Sequence, residues 1–167
     1  MLKHNWSWLG VYYAITLIVV IGIVLFGAKF FQVNDPTWAL ISAIICTELD
    51  LNRTPSVVMQ RIFLTIIGVV LALIMLLIFG IGYIALFAGT IFITLTCHYI
   101  IPLSNNWKLA TATGMIVLLA ASQQHSVKVA EIIGFTRSVE VVVGSVIAGV
   151  VSIISGQFWR IVNRNFH

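Results

Sequence analysis

Two arginines of this chain sit where a membrane protein could hold an anion. Arg61 and Arg137 each precede an apolar stretch, and each is followed by Gly at seven residues and Ala at eleven: Gly68 and Ala72 after the first, Gly144 and Ala148 after the second. On a helix Thr65, Gly68 and Ala72 lie along the face of Arg61, while Gly144, Ala148, Ser152 and Ser155 fall close to one stripe with Arg137. A guanidinium fork at a helix start, beside free N–H groups, favours carboxylate or phosphate, so the solute implied is an anion. Each feature also has a purely structural use. Gly and Ala let neighbouring backbones approach, and an arginine near a span end reaches the headgroups. Glu140 is spaced to pair with Arg137.

Other titratable groups are few. Glu48 and Asp50 close a short apolar run; held at membrane depth they would couple protons to transport, and at the aqueous boundary they would cap the run and pair with Arg53. Thr90, Thr94, Cys97 and His98 share nearly one helical face, which suits either a wet path with a titratable imidazole or hydroxyls bonded to their own backbone. Cys97 and His98 are adjacent, point to different sides of a helix and have no third ligand at metal spacing, so no metal or other cofactor is expected. No nucleophile with a neighbouring base and no phosphate-cradling loop is visible, so an enzyme is not expected; Gly80-Ile81-Gly82 is a turn.

The elements that position these residues must cross a bilayer. Hydrophobic residues make up 60% of the 167 and charged ones only 8%, and mean hydropathy is +1.10; a soluble domain carries about 25% charged residues. The chain is expected to be an all-α, polytopic membrane protein with no soluble domain and room for six spans of about 20 residues. Those spans read as Leu9 to Phe31, Trp38 to Thr47, Val57 to Phe79, Tyr83 to Ile101 (stopped by Pro102), Lys108 to Ser122, and Val139 to Ser155 (closed by Gly156). Asp35-Pro36 opens the second, which is too short to cross alone. A polar loop holding Gln123, Gln124, His125, Lys128 and Glu131 precedes the last. Trp6, Trp8, Trp38, Trp107 and Trp159 fall near span ends, as an interfacial belt requires.

The spans also repeat. Trp38-Ala-Leu-Ile-Ser42-Ala43 and Trp107-Lys-Leu-Ala-Thr111-Ala112 share Trp, Leu two on, a hydroxyl four on and Ala five on. With the two arginine segments, they define copies at about 9–79 and 83–156. Three crossings in each copy would turn the second over, giving an inverted 3+3 repeat. Lys3, Arg53, Arg61, Lys108, Arg160 and Arg164 fall on one side against Lys29, Lys128 and Arg137 on the other, which favours both termini in the cytoplasm, across the inner membrane. The basic residues form no phosphate-tracking stripe, so nucleic acid is not an expected partner. Cys46 and Cys97 lie in apolar stretches and are expected to be buried free thiols.

Pro36-x-Trp38-Ala39, a short apolar run, then Arg61 with Thr65 and Gly68 resembles the membrane domain of the fusaric acid resistance and aromatic acid exporter family, shared by plant aluminium-activated malate channels. Arg137 to Gly144 is similar to its closing span. The resemblance implies a six-helix unit that moves organic anions, typically carboxylates, with Arg61 and Arg137 at the positions of the family's arginine helices. The chain departs from the family's glycines at Leu51-Asn52-Arg53-Thr54 and at Leu64. Relatives commonly add a cytoplasmic domain or second membrane half, so a homodimer or a separate partner subunit is expected here. Export of an organic anion, an anion channel, and a non-transporting membrane scaffold are the three functions these observations leave.

Overall fold

A computed structural model describes residues 5–33, 35–48, 53–100 and 107–165, with the side chains of 5–9, 100 and 159–165 outside that description. Asp50, Leu51, Asn52 and Pro102, and the side chains of Trp6, Trp8, Trp159, Lys3, Arg160 and Arg164, lie outside the described residues. The described chain is helical: α1 (Asn5–Phe30), α2 (Thr37–Cys46), α3 (Thr54–Phe79), α4 (Tyr83–Leu95) continued by a π turn over Thr96–Ile100, α5 (Trp107–Gln124) and α6 (Val127–Asn165). The segments Gly10–Phe30, Thr54–Phe79 and Val127–Phe158 are long and apolar enough to cross a bilayer, and Thr37–Cys46 and Tyr83–Tyr99 are shorter apolar helices. The protein is therefore an all-α membrane protein.

Local chemistry explains most boundaries. The Asp35 carboxylate accepts the Thr37 N–H at 3.1 Å and the Thr37 hydroxyl, which fixes the turn into α2. Pro55 occupies the first turn of α3, where a missing N–H costs nothing. Gly80 takes φ 70, a left-handed conformation open to glycine, and lets α3 fold into α4.

The largest departure from the sequence reading is α6. The polar loop shrinks to His125 and Ser126, and Lys128 and Glu131 stand exposed on a helix of 39 residues, about 58 Å at 1.5 Å per residue. Gly156 does not close it either, because a glycine inside a long apolar helix costs only about 1 kcal/mol relative to Ala. Neither arginine, moreover, heads its helix: Arg61 lies seven residues past Thr54 and Arg137 ten past Val127. The helix-dipole contribution assigned to them does not apply, since it fades within the first turn.

The chain divides into two compact units. One comprises Met1–Met59 with Glu140–His167, the other Gln60–Val139. In the first, Val20 and Val24 of α1, Ala39, Ala43 and Cys46 of α2, and Ala148 of α6 form a core. Gly144 makes it possible: a Cβ there would lie 2.1 Å from the Ala39 carbonyl oxygen. In the second, Leu64, Val69 and Ala72 of α3 pack with Ile93, Ala110, Val117 and Leu118. A Cβ on Gly68 would lie 2.4 Å from the Ala110 oxygen. Small residues thus serve close backbone contact in both units.

Not every glycine is bound this way. A Cβ on Gly22 or Gly27 of α1 would meet nothing within 4 Å. Gly22→Ala and Gly27→Ala are expected to raise stability by about 0.5–1 kcal/mol each through helix propensity, measured by reversible unfolding in detergent.

Candidate functional site

The arginine stripe of α3 is organised as its periodicity predicts. Arg61, Thr65, Gly68 and Ala72 are all buried, and the Arg61 side chain is only 3% exposed although it sits in a 26-residue apolar helix. The Thr65 hydroxyl donates to the Arg61 carbonyl at 2.8 Å, so it serves the helix it stands on. Arg61 makes polar or ring interactions of its own within the protein. Among the described residues, no acceptor meets its Nε atom.

Arg137 is placed differently. It is half-buried, as are Glu140 and Ser155, whereas Gly144, Ala148 and Ser152 farther along α6 are buried. Arg137 and Glu140 are both engaged in interactions within the protein. The sequence pairs the two arginines by position, yet the fold gives them unequal environments. Burial depends on what lies opposite each helix, which a repeat in one strand of sequence does not record.

Trp38 and Trp107 open α2 and α5 and are half-buried. The Trp107 ring meets His98 edge-on with centroids 5.8 Å apart, and His98 also contacts Tyr99 at 4.7 Å. His98 is exposed and Cys97 is buried, so the adjacent pair does point to different surroundings. Thr90 donates to the Leu86 carbonyl and Thr94 to the Thr90 carbonyl, each at 2.7 Å. That hydroxyl face bonds its own backbone, and Thr94 adds a 3.2 Å contact to Thr111 of α5. Cys46 and Cys97 are free and buried, as expected.

One polar seam escaped the sequence reading. In the unit built on α1, α2 and the distal part of α6, three serines of α6 bond across to α1, to the last residue of α2 and to Glu48 just beyond it. Ser145 accepts from the Cys46 thiol at 3.4 Å, Ser152 accepts the Glu48 backbone N–H at 3.4 Å, and Ser155 joins Tyr12 and Thr16 of α1. The order of protons in the last group follows from counting them. Thr16 spends its single proton on the Tyr12 carbonyl (3.0 Å), so Ser155 must donate to Thr16 (2.9 Å), and Tyr12 in turn donates to Ser155. The signal that could have found this seam is the run of serines at offsets of seven and three within an apolar helix.

The seam ties α1 to α6 and carries a graded expectation. Tyr12→Phe removes the bond to Ser155 and should cost about 0.5–1 kcal/mol; Ser155→Ala removes the bonds to both Tyr12 and Thr16 and should cost about twice that, by unfolding in detergent. Equal costs would mean that the Ser155–Thr16 contact adds nothing to stability.

The sequence pattern of the fusaric acid resistance protein-like family matches residues 21–151, which takes in α2 through α5 with the last part of α1 and much of α6. No curated protein and no solved structure matches the chain. A match over most of the chain, on a helical membrane protein with a buried arginine in a long apolar helix, decides the assignment: the protein belongs to the fusaric acid resistance protein-like family and is a membrane protein related to transport.

Proposed function

We propose that this protein carries organic anions, aromatic or other carboxylates, out of the cell across the inner membrane, with both termini in the cytoplasm. The observation that carries the reading is the burial of Arg61. A guanidinium held 3% exposed within an apolar helix of crossing length is expensive to place there, and such residues mark solute pathways. Its planar fork suits a carboxylate. In the unit that holds Arg61, Thr65, Gly68 and Trp107 are the candidate pathway residues and Arg137 a second, more accessible attractor; Trp38, Gly144 and Ser152 are the corresponding candidates in the other unit. Glu48, Asp50, Glu140 and His98 are the candidates for coupling.

The architecture proposed for this task is an inverted repeat of six spans, with copies at about 9–79 and 83–156. Corresponding contacts support it: the glycine seven residues after each arginine meets the backbone of the Trp-headed helix in the other copy, Gly68 at Ala110 and Gly144 at Ala39. The working unit is a homodimer. Its support is α1, whose apolar surface is little buried within one chain.

Reconstitution in liposomes tests the function. Labelled benzoate and malate are expected to move faster than in empty vesicles under an imposed potential, and chloride more slowly than either. Chloride flux exceeding both would make the protein an anion channel. No flux of any anion would favour a scaffold, and native mass spectrometry from lipid nanodiscs showing only monomer would remove the dimer.

A further inference from the structure

The hairpin of α4 and α5 ends in a row of aromatic and basic side chains. Helix α3 is long enough to cross the bilayer, and only Gly80–Gly82 separate it from α4, which returns against it: a Cβ on Gly89 would lie 3.3 Å from that of Met75. The apolar helix Tyr83–Tyr99 runs about 26 Å at 1.5 Å per residue, close to the roughly 30 Å of hydrocarbon, so its π turn comes to the opposite headgroup level. The antiparallel register carries into that turn. Thr94 meets Thr111 at 3.2 Å, and one turn farther toward the end of the hairpin His98 meets Trp107 with ring centroids 5.8 Å apart. Tyr99 adjoins His98 at 4.7 Å, and the Lys108 ammonium stands 5.8 Å from the centroid of the Trp107 ring.

Tyr99, His98, Trp107 and Lys108 thus form one contiguous row, in which all but Trp107 are exposed. Tyrosine and tryptophan rings suit the headgroup level. Among the described residues, the Tyr99 hydroxyl, the His98 imidazole and the Lys108 ammonium have no hydrogen-bond partner, and all three are donors. The charge of the row is unbalanced. No Asp or Glu occurs between Asp50 and Glu131. Glu131 is the sole carboxylate of the unit Gln60–Val139, and it follows the far end of α5, an 18-residue helix about 27 Å long. The complement of this end is an anion.

An apolar groove leads to the same place. Met75 and Ile78 of α3 with Ala88, Ile91, Phe92 and Leu95 of α4 line a groove of about 520 Å³, many times the roughly 30 Å³ that one water occupies. Leu95 lies four residues before Tyr99, one turn below it on the same face, so the groove runs along α4 toward the row. A molecule that fits both parts has a hydrocarbon chain and an anionic head. We propose that this end of the hairpin binds an anionic phospholipid, with its phosphate at Lys108, Tyr99 and His98 and an acyl chain in the groove. The site does not rest on the transport reading. Its lipid would supply from outside the negative charge that this end of the unit lacks.

Native mass spectrometry from nanodiscs holding equal amounts of phosphatidylglycerol and phosphatidylcholine tests it. One phosphatidylglycerol per chain is expected to stay bound, preferred roughly fivefold, the discrimination that one lysine near a membrane surface supplies. Lys108 is exposed, so its variants should fold: Lys108→Gln should lose the preference and Lys108→Arg should keep it. Leu95→Trp fills the groove while leaving the charge in place, and should lower retention of phosphatidylglycerol. Glycerol phosphate or benzoate in excess should not displace the lipid. Displacement by the first would make free phosphate the ligand, and displacement by the second would assign the row to the transported solute; either overturns the proposal. Equal retention of the two lipids, a preference unchanged in Lys108→Gln, or wild-type retention in Leu95→Trp would overturn it as well.

Discussion

Gly144→Ala is expected to be the most damaging single methyl that can be added to this protein. The new Cβ would lie 2.1 Å from the Ala39 carbonyl oxygen, 2.8 Å from its carbon and 2.9 Å from its Cα, all backbone atoms of a helix with no rotamer to relieve them. Helix α2 would have to back away from α6, and the core formed by Ala39, Ala43, Cys46 and Ala148 would open with it. Overpacking costs about 1–3 kcal/mol in ordinary cores, and this site should reach the top of that range or beyond. Gly68→Ala, at 2.4 Å from the Ala110 oxygen, should follow closely. Gly134→Ala meets a side-chain methyl of Val69 at 2.8 Å instead of backbone; Val69 is stiff at χ1, but a small shift of one side chain relieves the contact where a whole helix would have to move at Gly144, so the cost should be less. Unfolding of the three variants in detergent checks the order, and a Gly134→Ala variant as damaged as Gly144→Ala would refute it.

Arg61→Gln is expected to reduce anion flux at least about tenfold, and Arg137→Gln by less than about threefold. The contrast comes from burial: Arg61 is 3% exposed within its crossing helix, whereas Arg137 is half-buried. A charge held out of water acts over a short distance with little screening, and an accessible one is weakened by solvent and salt. Arg61→Lys should recover part of the flux, since it keeps the charge while losing the bidentate fork. Rates must be normalised to folded protein in the vesicles, because removing one member of a buried polar arrangement also costs stability, about 3–5 kcal/mol for a buried ion pair. Equal losses in the two glutamine variants would discard the inequality drawn between the arginines while leaving transport in place.

Much of the fold could be read from individual residues. Gly80 and Gly82 marked the turn that joins α3 to α4, and Asp35-Pro36 marked the start of α2. The ten-residue length of α2 was visible because Glu48 and Asp50 bound an apolar run. Thr90 and Thr94 bond their own backbone, the simpler of the two uses their spacing allowed.

What could not be read were matters of surroundings. Lys128 and Glu131 looked like a loop because polar residues on the exposed face of a helix have the composition of one. Gly156 looked like a terminus because glycine ends many helices, while neighbouring turns decide whether it does so here. The unequal burial of Arg61 and Arg137 is set by residues distant in sequence. The same holds for the serine seam: Ser152 was named for its stripe, but its tie to Glu48 pairs residues 104 apart.

The backbone contacts at Gly68 and Gly144 also bear on how this gene can vary. Any base change in a glycine codon that alters the residue adds at least one side-chain carbon, and at these two positions that carbon has nowhere to go. A saturation library selected for function should therefore be almost empty at both codons, yet permissive at Gly22 and Gly27. The two glycines would behave as fixed points around which the rest of the sequence drifts, whatever cargo a descendant comes to carry.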